Sequence, residues 1–349
     1  MSQHIEHEYK NLSPLFDEIE RLYTVTSDVP KQSLIQPMFS DAVKPILDIF
    51  TEYYPQERYQ TQPKRYEKLA LPDTDKKNLI LCFSGGKDSV AAALHYMKNY
   101  NVYLYHMRGI NKVYADEWQI AQNLASELGL PIYIDKVSLK GNHRFTEHFM
   151  KNMLVANGAL HYGINQGIST KIAFGNYYTS WLVDNVFDVA AGDCKDMWQA
   201  YEKTIRHIIP KFRMYITLCN IATSYRAIEK HVELLPKLVS CLGPYRYRDY
   251  WKKSVEEKYK IKLMPNRCGR CWKCCAEYIY FADKNILEFN EAYYKYCLEK
   301  LLRTHYAETG VWCYDIYHLW SSYMFYPIEK SKLKEIKNAV VQHGKIKYT

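Results

Sequence analysis

Ser84-Gly85-Gly86-Lys87-Asp88-Ser89 is the stretch on which the reading of this 349-residue chain turns. The apolar run Leu79-Ile80-Leu81-Cys82-Phe83 precedes it and has the length and composition of a buried strand. Val90-Ala91-Ala92-Ala93-Leu94-His95-Tyr96-Met97 follows, with Val90, Leu94 and Met97 spaced to share one helix face. A strand, a Ser/Gly turn and a helix start together make an anion site. The glycines let backbone N–H groups approach oxyanions, and the first-turn amides and the helix dipole favour negative charge. The G-x-x-x-x-G-K-[ST] spacing of a Walker loop is absent. On this reading Ser84, Gly85, Gly86 and Ser89 cradle a phosphate group through backbone and hydroxyl donors, and Lys87 neutralises its charge. Asp88 either holds Mg²⁺, or orients the loop, or is an acid at a helix start favoured by the dipole.

From Leu79 onward strand and helix patterns alternate. Val102–His106 reads as a second strand. Residues 115–128 read as a helix with Trp118, Ala121, Leu124, Ala125 and Leu128 as its apolar stripe. Gly129 closes that helix and Pro131 prevents its continuation. Ile132–Ile134, Lys171–Phe174 and Arg213–Leu218 are further strands. Residues 195–208 read as a helix ending at Pro210. Ser224 reads as the cap of another, with Tyr225, Ile228, Val232 and Leu235 facing inward. Repeated βα units predict an α/β fold with a doubly wound parallel sheet, whose ligand crevice lies beyond the carboxyl ends of the strands. The glycine turn sits at the first of these ends. Residues 1–72 read as a helical extension, with helices at 17–22 and 41–54 punctuated by Pro30, Pro37, Pro55 and Pro63. The α/β domain then covers 73–240, a cysteine-rich segment 241–285, and a helical C-terminal extension 286–349.

Four of the ten cysteines fall within Cys268-Gly269-Arg270-Cys271-Trp272-Lys273-Cys274-Cys275. A chain of this length does not need a disulfide scaffold, so metal binding is the better reading. Two successive C-x-x-C spacings bring three thiolates round one ion, and a fourth ligand closes a tetrahedral Zn²⁺ knuckle. Cys241 is the preferred fourth ligand, because Cys275 would have to turn back sharply beside Cys274. An iron–sulfur cluster and unliganded core cysteines are the alternatives. The net charge of +9 is unevenly spread, with 20 Lys/Arg against 12 Asp/Glu in residues 241–349 and 8 against 11 in residues 1–70. The positive field therefore belongs to the C-terminal third. There Arg246, Arg248, Lys252, Lys253, Lys258, Lys260 and Lys262 interleave with Tyr245, Tyr247, Tyr250, Trp251 and Tyr259. Such a segment, within 245–273, either contacts a nucleic-acid or protein acceptor or is a solvated amphipathic insertion, and the second is preferred. His143, Glu147 and His148 are grouped but read as a helix surface. No apolar run approaches the ~20 residues of a membrane span, and the first residues lack the basic and apolar regions of a signal peptide. A cytoplasmic protein without membrane contact is expected. The 33 tyrosines are scattered and form no repeat.

SGGKDS between a strand and a helix is similar to the PP-loop of the ATP pyrophosphatase superfamily, whose members cut ATP between the α and β phosphates. With the cysteine run and the text between, residues 79–281 resemble the 7-cyano-7-deazaguanine synthases of queuosine biosynthesis. Glu117-Trp118-Gln119-Ile120-Ala121 stands as that family's E-x-x-x-A segment does, and Phe174-Gly175-Asn176 as its strand ending in Gly. Residues 193–202, opening Asp193-Cys194-Lys195, look like its P-D-C-R-P-E-F segment. Ser240-Cys241 followed by C-G-x-C-x-x-C looks like its zinc signature.

The resemblance implies a PP-loop/HUP-like domain with ATP and Mg²⁺ at Ser84–Ser89, and with His106, Met107 and Gly175 also in the nucleotide site. It implies Zn²⁺ on Cys241, Cys268, Cys271 and Cys274, and Lys87, Asp88 and Asp193 as the catalytic set. The reaction implied is adenylation of a heterocyclic carboxylate, followed by displacement of AMP by ammonia. In the family the acid is 7-carboxy-7-deazaguanine and the product a nitrile. Asp193 would bind an exocyclic amine, with Trp198 and Tyr177 as candidates to stack the ring. The chain departs from the family in that Cys241 and Cys268 are 27 positions apart where the family keeps a short gap, and in Gly192 and Lys195 where the family has Pro and Arg. Three other outcomes stay open: a PP-loop enzyme acting on RNA or protein, an adenylyl-sulfate reductase, and a nucleotide-binding subunit without turnover. The reductase is disfavoured because no cysteine follows Cys313. A homodimer is the default form of association.

Overall fold

The computed structural model describes residues 2–3, 23–26, 76–108, 117–139, 151–176, 209–218 and 221–307, except 240, 242 and 244, with a few positions between 198 and 206. Its centre is β3 (Asn78–Cys82), in which Leu79, Ile80 and Leu81 are wholly buried. A strand covered on both faces is apolar throughout rather than alternating, which is why this run was readable as a central parallel strand. β3 pairs in parallel with β4 (Asn101–Arg108) on one side and with β6 (Lys171–Asn176) on the other. β4 pairs in parallel with β5 (Ile132–Leu139), and β7 (Arg213–Leu218) lies beside β6. The result is a five-strand parallel sheet in the order β5-β4-β3-β6-β7. The order reverses at β3, the first of the five in sequence, so the chain leaves β3 at a switch point of the sheet.

Two strands not foreseen in the N-terminal stretch extend this sheet. β1 (Ser2–Gln3) pairs antiparallel with β2 (Tyr23–Thr26), which pairs antiparallel with β5, Tyr23 opposite Leu139 and Thr26 opposite Lys136. Tyr-Thr-Val-Thr is a β-favouring tetrapeptide, and the edge of β5 offers it an open ladder. The helices expected at 17–22 and 41–54 lie outside the described residues.

α1 (Lys87–Tyr96) follows β3, α2 (Glu117–Glu127) follows β4, and α3 (Lys151–Asn165) precedes β6. α2 buries Ala121, Leu124 and Ala125, three members of its expected stripe. Trp198, 201–203 and 205–206 are helical, within the helix expected at 195–208. Several of the described tyrosines enter the core or pack at its edge. Tyr105 is fully buried and its hydroxyl donates to the buried Asp135 at 2.9 Å, while the rings of Tyr133 and Tyr162 stack 4.4 Å apart.

The chain divides into two compact units. One comprises residues 1–84, 92–178 and 190–217 and holds the sheet. The other joins 85–91 and 179–189 to 218–349. In the second unit α4 (Ile221–Ile228) leads to a 3₁₀ segment, Val232–Lys237, and then to α5 (Tyr245–Tyr259), α6 (Trp272–Asp283) and α7 (Glu291–Ala307). α6 is buried almost throughout, and its Tyr278 packs edge-on against Tyr293 of α7 at 4.5 Å. Two expectations are corrected here. α4 begins at Ile221, so Ser224 lies inside the helix rather than capping it. Val232 is 44% exposed rather than inward, because the chain beyond Ile228 continues as a 3₁₀ turn and loses the 3.6-residue phase. Tyr225, Ile228 and Leu235 are buried as expected. Among the described residues no helix is long and apolar enough to cross a membrane.

Candidate functional site

β3 delivers the chain to the glycine turn with its last groups fixed. Phe83 N–H donates to the Tyr105 carbonyl at 2.8 Å, and His106 Nδ1 lies 2.8 Å from the Phe83 carbonyl. That contact needs a proton on Nδ1 and by itself favours the charged ring. Burial outweighs it and, with the nearby Arg108, lowers the imidazole pKa below the ordinary value. His106 and Met107 are both buried, whereas Gly175, near the end of β6, is half-buried.

The turn itself belongs to the second unit from Gly85 on. Gly85 is buried with φ +75°, a left-handed conformation that glycine adopts without a steric penalty. Ser84 is exposed. α1 then starts at Lys87, with Val90 N–H and Ser89 Oγ both donating to the Gly86 carbonyl at 3.0 Å. An α-helix leaves its first N–H groups without partners inside the helix, and these are the groups an oxyanion would meet.

Lys87 is only 5% exposed. Its ammonium lies 2.5 Å from Asp88 Oδ1 and 5.8 Å from the centroid of the Tyr225 ring. Ser224 Oγ donates to the same Asp88 oxygen, also at 2.5 Å. Of the roles open to Asp88, orientation of the loop is the one this arrangement fits: the carboxylate gathers Lys87 and Ser224. Sequence reasoning missed Ser224 as a loop partner, since it lies 136 positions away and marks itself only as a hydroxyl in a helix.

The four cysteines form the second cluster. The sulfur atoms of Cys241, Cys268, Cys271 and Cys274 all lie within 4.8 Å of one another, and Cys241, Cys268 and Cys274 are buried. Backbone N–H groups point at the sulfurs: Gly243 to Cys241 at 3.2 Å, and Arg270 and Cys271 to Cys268 at 3.3 Å each. Hydrogen bonds from Cys268, Cys271 and Cys274 hold the Cys241 thiol far below its ordinary range, against the effect of burial. Gly269 makes the turn possible with φ +69°, and a Cβ there would meet Leu263 Cδ1 at 2.5 Å. Four convergent thiols with N–H donors to sulfur could hold a metal ion and are compatible with zinc. Cys275 is buried outside this set, beside Cys297.

Beside the cluster lies a buried ion pair that the sequence did not announce. Arg267 and Glu277 are each about 2% exposed. Arg267 Nε and Nη2 meet the two Glu277 carboxylate oxygens at 2.5 and 3.0 Å. Burial pulls the guanidinium pKa down, and Glu277 more than restores it, so Arg267 keeps its charge.

Other expected site residues are placed differently. Trp198 is 2% exposed, with its ring 5.0 Å from that of Phe174 and edge-on to Tyr201, so it is a core side chain and not a face offered for stacking. Asp193 and Tyr177 lie outside the described residues, as do His143, Glu147 and His148. On α5, Lys252 and Lys253 are paired with Glu256 and Glu257 one turn on. Tyr247 and Tyr250 are exposed, and Trp251 packs against the cysteines. No family model matches the chain, and no curated protein matches it.

Proposed function

We propose that this protein is a PP-loop ATP-dependent adenylating ligase, similar to the 7-cyano-7-deazaguanine synthases. The observation that carries the reading is the glycine turn between β3 and α1, with Lys87 held at the first helical position. A loop that presents helix N-terminal amides and a buried cation suits a leaving pyrophosphate better than a neutral ligand.

In the proposed reaction a carboxylate oxygen of the substrate attacks the α-phosphorus of ATP. The bond from that phosphorus to the oxygen bridging to the β-phosphorus breaks, and pyrophosphate leaves toward the amides of Lys87, Asp88 and Ser89. An amine nitrogen, from ammonia in the simplest case, then attacks the acyl carbon and AMP departs. The chain contributes position and fixed charge: Lys87 meets the growing negative charge, and Asp88 with Ser224 keeps Lys87 in place. Mg²⁺ would enter as the counter-ion of ATP. Cys241, Cys268, Cys271 and Cys274 would hold one Zn²⁺, which closes the knuckle and takes no part in the chemistry. The substrate on this reading is a planar heterocyclic acid, with 7-carboxy-7-deazaguanine the first to try.

Incubation with ATP, Mg²⁺ and candidate acids should release AMP and pyrophosphate in equal amounts. Gly86→Val should reduce that release by ~10²-fold or more, the scale for losing a key donor to a developing charge. Release of ADP would overturn the reading. AMP release that ignores 7-carboxy-7-deazaguanine would replace the substrate and keep the ATP chemistry.

A further inference from the structure

Arg267 has more hydrogen-bonding work than its ion pair with Glu277. Its Nη1 donates to the Leu238 carbonyl at 2.6 Å and its Nη2 to the Leu235 carbonyl at 3.2 Å. The guanidinium thus grips the segment 235–238 from the side of the cysteine cluster. The next residue, Val239, donates its N–H to the Gly85 carbonyl at 3.2 Å. Arg267 immediately precedes Cys268, and Glu277 lies three residues beyond Cys274 on α6, so both ends of the ion pair are anchored next to members of the cluster. All of these residues belong to the second unit.

We propose that Arg267 is a positioning residue for the glycine turn, and that the cysteine knuckle sets the turn's conformation through Arg267, the 235–239 segment and the Gly85 carbonyl. The physical argument is directional. A planar fork makes two bonds to a carboxylate and two to carbonyls at once, which fixes the segment in translation and rotation. A single N–H to carbonyl bond then holds Gly85, the residue whose left-handed conformation sets the direction in which the following amides point. A lysine at 267 would keep the charge but not the fork, so the segment could slide without the unit unfolding. The inference rests on the proposed role of the turn as a pyrophosphate site.

The test compares the intact chain with Arg267→Lys, using inorganic pyrophosphate and adenosine as separate probes by calorimetry. If the turn is positioned by Arg267, pyrophosphate binding should weaken about tenfold or more while adenosine binding and one metal ion per chain are retained. A merely structural residue would lower the melting temperature and weaken both probes alike, and that outcome overturns the proposal, as does unchanged pyrophosphate affinity. Hydrogen exchange on the unmodified protein makes the test independent of how the variant folds. Added pyrophosphate should slow exchange in peptides covering 85–90 and 235–239 together. Slowing in 85–90 alone overturns the link. No pyrophosphate binding by the unmodified protein removes the underlying reading of the loop, which is a different failure.

Discussion

Leu79, Ile80 and Leu81 of β3 are as hidden from water as Arg267, Glu277 and Cys268 of the second unit. The three strand residues are apolar, and each contributes by leaving water. The three from the second unit are a thiol and two charges, set within an otherwise apolar interior, and burying either charge alone would be unfavourable. They are stable only as sets: four sulfurs round a common centre, one guanidinium with one carboxylate and two carbonyls. The first kind of interior should lose stability in increments when trimmed. The second should fail abruptly when one member is removed.

Metal removal should separate the two most. Structural zinc supplies on the order of 10 kcal/mol of folding free energy in small sites. Treatment with a chelator, or Cys271→Ser, should open 241–307 to limited proteolysis while peptides from β3 and β4 stay protected. Simultaneous loss of both would break the distinction. The ion pair should give the next largest effect. Glu277→Gln leaves a buried guanidinium without its counter-charge and should cost about 3–5 kcal/mol by urea unfolding. The double change Arg267→Met with Glu277→Leu should cost far less. If the double change is worse than the single one, the pair stabilises in its own right and the comparison must be redrawn.

Trimming the sheet sharpens the contrast from the other side. Leu81→Ala should cost about 2–5 kcal/mol through lost burial and a residual cavity, with no change in metal content. A smaller signal lies in pH. His106 is buried neutral, and its folded pKa is depressed below the ordinary 6.5. The unfolded chain therefore binds a proton first as pH falls. Stability from this group is present above about pH 6.5 and is lost as pH drops toward the folded value. His106→Gln should flatten that part of the stability profile, and an unchanged slope would assign the pH dependence elsewhere. Lys253→Ala, at an exposed pair on α5, should change stability by no more than about 0.5 kcal/mol.

The fold was legible where one residue type fills a whole element. β3, β4 and β6 were found because buried parallel strands read as apolar runs, and α2 because its stripe keeps a helical period. α3 was missed because its glycines and polar residues blur that period. β2 was missed because its pairing is decided by the free edge of β5, more than 100 residues away. Of the cysteine cluster, Cys268, Cys271 and Cys274 announce themselves by spacing, since one helical turn and a tight loop suffice to bring them together.

What the sequence determined by itself, then, is local: a strand feeding a glycine turn, a helix following that turn, and three thiols within seven residues. Those follow from backbone conformation and periodicity over a few residues. The tertiary structure alone decided which distant groups complete them. Cys241, the fourth member of the sulfur cluster, is preferred over Cys275 already from the sequence, whereas the fold turned Ser224 to Asp88 and closed Arg267 on Glu277 and on the carbonyls of 235 and 238. Such partners carry no signal in spacing, because a hydrogen bond or an ion pair depends on where two side chains meet in space and not on how far apart they lie along the chain.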